Sequence, residues 1–213
     1  MHPHILNKNQ LAIVKKLKLP KAPGFYLAGG TALALQIGHR TSIDFDFYSA
    51  KNFDSLALSQ TIKKTFSNAK TLFTEENTLR TEIGTTELSF FYYPYHLIEP
   101  FKEFHAINLA SIVDIAAMKI AAIIQRGTRR DFIDIFFLLK IYSLKEIITF
   151  TIQKFPSYHP MLILRSLIYL ENAEKEKYPR PIKILDPDFS WEKAKKKIFA
   201  EVKQYQLSIL KKR

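Results

Sequence analysis

The sequence predicts an α+β chain: a mixed sheet flanked by helices, followed by an all-helical second domain. Three observations lead there. Between residues 23 and 95, apolar runs of strand length alternate with helical stretches, whereas from Leu109 onward the apolar spacing is almost entirely helical. A Gly29-Gly30 break is followed closely by an apolar strand that carries two acids, Asp44 and Asp46. With 213 residues there is room for two small domains, and the expected division is 1–105 for an α/β core with an N-terminal helix and 106–213 for the helical part.

Residues 24–28 read as a short buried strand that the two glycines break, after which Thr31 stands where it would cap a short helix running to Gly38. Residues 43–48 alternate apolar and acidic side chains, the period of two of a strand, so Asp44 and Asp46 share one face. Asp54 or Ser55 starts a helix that reaches about Phe66. Weaker strands follow at 69–73 and 78–83, then a clear one at 86–93 after the Gly84 turn.

Ser111 is a candidate cap for a helix over 112–125, where Ile112, Ile115, Ala116, Lys119, Ile120 and Ile123 recur at helical spacing until Gly127 stops it. A second helix begins between Thr128 and Asp131 and continues through Leu139; others are expected at 144–155, 159–172 and 191–210. Pro179, Pro181 and Pro187 make 178–187 an extended connector.

Composition narrows the chemistry. Hydrophobic residues at 47% and charged residues at 24% fit a folded globular protein. The absence of cysteine excludes disulfides, thiol nucleophiles and thiolate zinc sites, suits a reducing cytoplasm, and leaves oxygen or imidazole to hold any metal. The N-terminus has no signal-peptide pattern, and no apolar run approaches the ~20 residues of a membrane span, so a cytoplasmic protein without a membrane association is expected. The net charge of +12 predicts attraction to polyanions. Half of that excess lies in residues 191–213, where eight basic residues face two acidic ones. Trp191, Ile198, Val202, Tyr205 and Leu210 are expected to pack inward there, leaving the lysines for phosphates or an acidic partner.

A strand ending in Gly29-Gly30, a helix beginning at Thr31, and a strand bearing Asp44 and Asp46 make a unit suited to a nucleoside triphosphate. Glycines let the backbone approach phosphate, and amides at a helix start favour negative charge. Carboxylates at i and i+2 on one strand face lie about 6–7 Å apart and can converge on a divalent cation, for which hard oxygen ligands favour Mg²⁺ or Mn²⁺. Two like charges between Ile43, Phe45 and Phe47 are unfavourable without such a cation. His39 and Arg40 follow the first helix; Arg40 either orients a phosphate or braces one of the acids, and Ser42 lies on the acids' strand face, where it is a candidate phosphate contact.

With residues 25–35, His39-Arg40, Ser42 and Asp44-Phe45-Asp46-Phe47, the chain resembles the AbiEii-type nucleotidyltransferases, toxins of type IV toxin–antitoxin (abortive infection) systems. Residues 114–119, ending in Lys119, resemble that family's helical lysine motif, and 126–135, with Asp131 and Asp134, its closing motif with two aspartates. The resemblance implies a DNA polymerase β-like nucleotidyltransferase core followed by a helical domain. It implies Asp44 and Asp46 as metal ligands, Gly29, Gly30, Thr31, Arg40 and Ser42 around the nucleotide, Lys119 on the triphosphate, and Asp131 in the active site as a candidate general base. It also implies transfer from a nucleoside triphosphate to an RNA acceptor such as the tRNA 3′ end, with a cognate antitoxin as partner. A protein hydroxyl as acceptor, or a binding module without turnover, are the alternatives. Read from the residues alone, Asp131 and Asp134 also suit a helix N-terminus, with Arg130 pairing Asp134. A third carboxylate is open: the strand at 86–93 offers Glu87, or has Ser89 in its place.

Overall fold

The computed structural model describes residues 1–176 and 181–211, so residues 178–180 of the expected connector lie outside it. The chain divides into two units, Met1–Ser111 and Ile112–Arg213.

The first unit opens with a short 3-10 turn, Pro3–Ile5, and helix α1, Lys8–Lys16, which a capping box of Asn7 and Gln10 starts. There follow β1 (Tyr26–Ala28), α2 (Gly29–Ile37), β2 (Phe45–Ser49), α3 (Ser55–Thr65), β3 (Lys70–Glu75), β4 (Thr78–Ile83), β5 (Thr86–Tyr92), β6 (Lys102–Phe104) and β7 (Ile107–Leu109). Asp54 caps α3 by accepting from the Leu56 and Ala57 amides. The seven strands form one mixed sheet in the order β3-β4-β5-β2-β1-β7-β6. β2 pairs antiparallel with β1 and parallel with β5, which puts the acid-bearing strand near the middle of the sheet. Phe45 and Phe47 are fully buried, and Phe47 stacks on Phe90 of β5 with centroids 4.9 Å apart. Burying each such ring contributes about 1.5–3 kcal/mol, which anchors the register that carries the acids.

The β6–β7 hairpin is not visible as a sequence signal, because three-residue strands are too short to display a period. β7 joins β1 in parallel, Tyr26 beside Asn108 and Leu27 beside Leu109, so the hairpin belongs to the sheet of the first unit, which runs to Ser111.

The second unit contains α4 (Ile112–Gln125), α5 (Arg129–Leu138), α6 (Leu144–Lys154), α7 (Pro160–Ile168), α8 (Glu171–Glu174) and α9 (Trp191–Leu210). The expected helix over 159–172 is thus two, separated at Tyr169, which is extended. α4 packs against α5, α6 and α7. α9 buries Ala194, Ile198 and Val202 at intervals of four, but its apolar row ends early: Leu210 is 64% exposed. Three of its lysines are engaged locally, Lys195 with Glu174 (2.9 Å) and Glu192 (2.6 Å), Lys197 with Glu201 (3.2 Å), and Lys193 with the Asp188 carbonyl (2.7 Å). Among the described residues no helix is long and apolar enough to cross a membrane.

Candidate active site

β1 ends at Ala28, and the chain enters α2 at Gly29 with φ of +68°, a conformation that L side chains rarely adopt. A Cβ at Gly29 would also lie 3.3 Å from Asp46 Oδ2, so this glycine leaves room for the carboxylate across the β1–β2 pair. At Gly30 a Cβ would meet Arg40 Nη2 at 2.2 Å. Arg40 is 2% exposed and its Nη1 donates to the Thr41 carbonyl at 3.0 Å, so the guanidinium is held against Gly30 in the first turn of α2. The two glycines therefore admit a carboxylate and a guanidinium.

Thr31 does not cap α2. The helix starts two residues earlier, Ala28 is its N-cap, and no side chain caps it. The Thr31 hydroxyl is instead buried and hydrogen-bonded to Ser42 Oγ at 2.6 Å and to the Asp44 carbonyl oxygen. Capping and this longer-range bond use the same hydroxyl, and the turn at Gly29 decides between them by winding Thr31 into the helix.

Asp44 immediately precedes β2 and Asp46 lies within it; both are half-buried beside the fully buried Phe45 and Phe47. Asp46 stands opposite Ala28 on β1 and Ser89 on β5. Of the two candidates for a third acidic position, Ser89 is thus the residue level with Asp46. Glu87 accepts from Arg80 Nε at 2.5 Å and from Ser89 Oγ at 3.3 Å. Among the described residues, no group of three or more His, Cys, Asp or Glu side chains could hold a metal ion. The Asp46 carboxylate beside Gly29, with Asp44 two residues before it, nevertheless fits a small divalent cation, because Mg²⁺ is ordinarily bound through one or two carboxylates with waters and substrate phosphates completing its octahedron.

In the helical unit, α4 and α5 bring three charges together. Lys119 is 5% exposed, and its Nζ lies 3.1 Å from Asp131 Oδ1 and 2.6 Å from Asp134 Oδ2. Asp131 also accepts from Arg126 Nε (3.0 Å), Arg126 Nη2 (3.2 Å) and Thr128 Oγ1 (2.7 Å). Burial pushes the Asp131 carboxyl upward, but the opposing pull of Lys119, Arg126 and Thr128 is greater and lowers it to about 2. The Asp131 carboxylate is thus held ionised between two cations and a hydroxyl. Asp134 joins Lys119 in the same cluster, although charge spacing alone suggested an Arg130 partner.

Sequence reasoning missed Arg126 and Thr128, which lie on the turn before α5, and also a wholly buried pair, Lys154 of α6 with Asp114 of α4 at 2.8 Å. In α1 it missed Gln10, 1% exposed, whose amide donates to the carbonyls of Ser42 and Ile43. A polar residue at a position of α1 that repeats with Ile13 and Val14 was the available signal.

Comparison with known proteins follows this geometry. The sequence profile of the family described as "Nucleotidyl transferase AbiEii toxin, Type IV TA system" matches residues 15–96 and 76–204. An uncharacterized protein of Aquifex aeolicus (strain VF5) is 38% identical over 200 residues, which cover 91% of this chain and 94% of that protein. Two Helicobacter pylori crystal structures share the fold. One, solved as a candidate nucleotidyltransferase, has 19% identity and a TM-score of 0.55 and covers 95% of this chain and 93% of its own. The other, JHP933, has 18% identity and a TM-score of 0.55, with 94% and 90% covered. Since the profile runs through the glycine turn, both strand acids, the lysine helix and the closing aspartates, the chain belongs to the AbiEii family, the nucleotidyl transferase toxins of type IV toxin–antitoxin systems.

Proposed function

We propose that this nucleotidyltransferase moves a nucleoside monophosphate from a nucleoside triphosphate to a hydroxyl on RNA, with the 3′ end of tRNA as the acceptor, using Mg²⁺ or Mn²⁺ held by Asp44 and Asp46. The observation that carries the reading is the position of Asp46 at the open Gly29 turn, where α2 begins. The acceptor oxygen forms a bond to the α-phosphorus as its O–H bond gives up the proton to water and the bond to the bridging oxygen breaks, and pyrophosphate leaves. A bound divalent cation supplies charge neutralisation at the phosphate oxygens.

The chain's own residues orient and hold. The amides that open α2 and its dipole favour a phosphate there. Arg40, fixed on Gly30, adds a rigid positive charge to the same turn. Ser42 is tied through its hydroxyl to Thr31, so its part in the nucleotide site is to keep the segment before Asp44 in place. In the helical unit, Lys119 is the triphosphate contact that the family pattern implies, with Asp131 and Asp134 fixing its ammonium. Membership of a type IV system implies a cognate antitoxin.

The test is transfer of label from each of the four α-³²P nucleoside triphosphates to total RNA and to total protein. Wild type should label RNA of tRNA length and Asp46→Ala should not. Asp46-dependent label in protein would move the acceptor to a protein hydroxyl, and no Asp46-dependent transfer to either would overturn the reading.

A further inference from the structure

Residues 42–44 lead into β2 outside the sheet, whose pairing begins at Phe45 beside Leu88 and at Asp46 beside Ala28. Their carbonyls therefore lie beyond the ladder, in a half-buried segment where an unmatched carbonyl is costly. Three consecutive ones are met by side chains. Gln10 Nε2 donates to Ser42 O at 2.8 Å and to Ile43 O at 2.7 Å, and the Thr31 hydroxyl bonds Asp44 O.

Gln10 is fully committed to this arrangement. Both amide hydrogens go to the two carbonyls, while its Oε1 accepts from the Asn7 N–H at 2.9 Å in the capping box of α1. Gln10 itself is 1% exposed, so its amide is enclosed. The place of Asp44 is thus set from two helices, α1 through Gln10 and α2 through Thr31, where that of Asp46 is set by strand pairing. Asn9, one residue earlier on α1, makes a similar clamp elsewhere, donating to Ile83 O and to Thr86 Oγ1 (both 3.0 Å) at the β4–β5 turn.

We infer that Gln10 and Thr31 are positioning residues for the cation site, holding the segment before β2 so that the Asp44 carboxylate is aimed alongside that of Asp46. The inference rests on the reading of Asp44 and Asp46 as metal ligands. Removing a group that orients a ligand from behind typically weakens metal binding 10–100-fold.

The experiment is Mn²⁺ binding, followed by the electron paramagnetic resonance signal of free Mn²⁺ with no nucleotide present, together with thermal unfolding of each variant. Gln10→Glu retains an acceptor for the Asn7 amide but loses both donors; Thr31→Val loses the hydroxyl and Thr31→Ser retains it. Gln10→Glu and Thr31→Val should each raise the Mn²⁺ dissociation constant about tenfold, and Thr31→Ser should bind as wild type does. Asn9→Ala, the matched control, should lower the melting temperature and leave Mn²⁺ affinity unchanged. Wild-type affinity in folded Gln10→Glu or in Thr31→Val would overturn the inference, as would equal weakening by Asn9→Ala. Failure of the underlying reading is distinct: wild type would then bind no Mn²⁺ that Asp46→Ala abolishes.

Discussion

Around Asp44 and Asp46, strand pairing holds the backbone of Asp46, and the side chains of Gln10 and Thr31 hold the carbonyls that precede and include that of Asp44. Around Lys119, charges fix one another: two carboxylates hold one ammonium, and Asp131 in addition accepts a guanidinium and a hydroxyl. In the first region the contacts named fall on the backbone that carries the acids, and in the second on the carboxylate of Asp131 itself.

Substitutions in each region test how its contacts hold it. The largest effect on stability is expected within the helical unit at Lys154, whose pair with Asp114 is wholly buried. Lys154→Met alone strands a buried carboxylate and should cost about 3–5 kcal/mol in urea unfolding. Adding Asp114→Leu should restore most of that loss, since an apolar replacement of a whole buried pair is often neutral or better. Persistent destabilisation in the double variant would show that the pair does more than neutralise itself.

Asp131 makes the second prediction, through pH. Its carboxyl falls from an ordinary 3.8 to about 2 on folding, so it contributes stability that is present above about pH 4 and lost as pH falls toward 2. The difference corresponds to about 2 kcal/mol. Asp131→Asn should flatten the acid limb of the unfolding free energy by that amount, and an unchanged limb would contradict the ion cluster described here. Because the group is already ionised throughout, it should also contribute no inflection to the rate profile between pH 5 and 8.

A smaller effect is expected in the α/β unit at Gly30. Gly30→Ala brings a methyl group to within 2.2 Å of Arg40 Nη2, and the buried guanidinium must shift. Overpacking of this kind costs about 1–2 kcal/mol, visible as a lower urea midpoint at unchanged slope. The smallest is at Leu210, 64% exposed near the end of α9: Leu210→Ala should change stability by less than about 0.5 kcal/mol, against about 2–5 for Ile198→Ala on the buried row.

Much of the fold was legible because periodicity reports which face of an element is buried. The Phe45–Phe47 alternation exposed Asp44 and Asp46 as a pair, and the spacing of Ile115, Ile120 and Ile123 revealed the helix of Lys119. What stayed hidden depends on contacts across the chain. Gln10 meets Ser42 across 32 residues and Lys154 meets Asp114 across 40, and neither pairing leaves a local pattern. Thr31 illustrates the same limit from the other side. Its place after two glycines reads as a cap, but the left-handed turn at Gly29 starts the helix earlier and frees the hydroxyl for Asp44.

The central claim is that the strand acids, and Asp46 above all, carry the transfer chemistry. Pyrophosphate release with each nucleoside triphosphate, in the presence of total tRNA and Mn²⁺, tests it most directly when wild type is compared with Asp46→Asn of equal melting temperature. Release by wild type with at least one triphosphate, reduced on the order of 10²-fold or more in Asp46→Asn, is the predicted result. Equal release by the two proteins, or none by wild type with any triphosphate, would contradict the account.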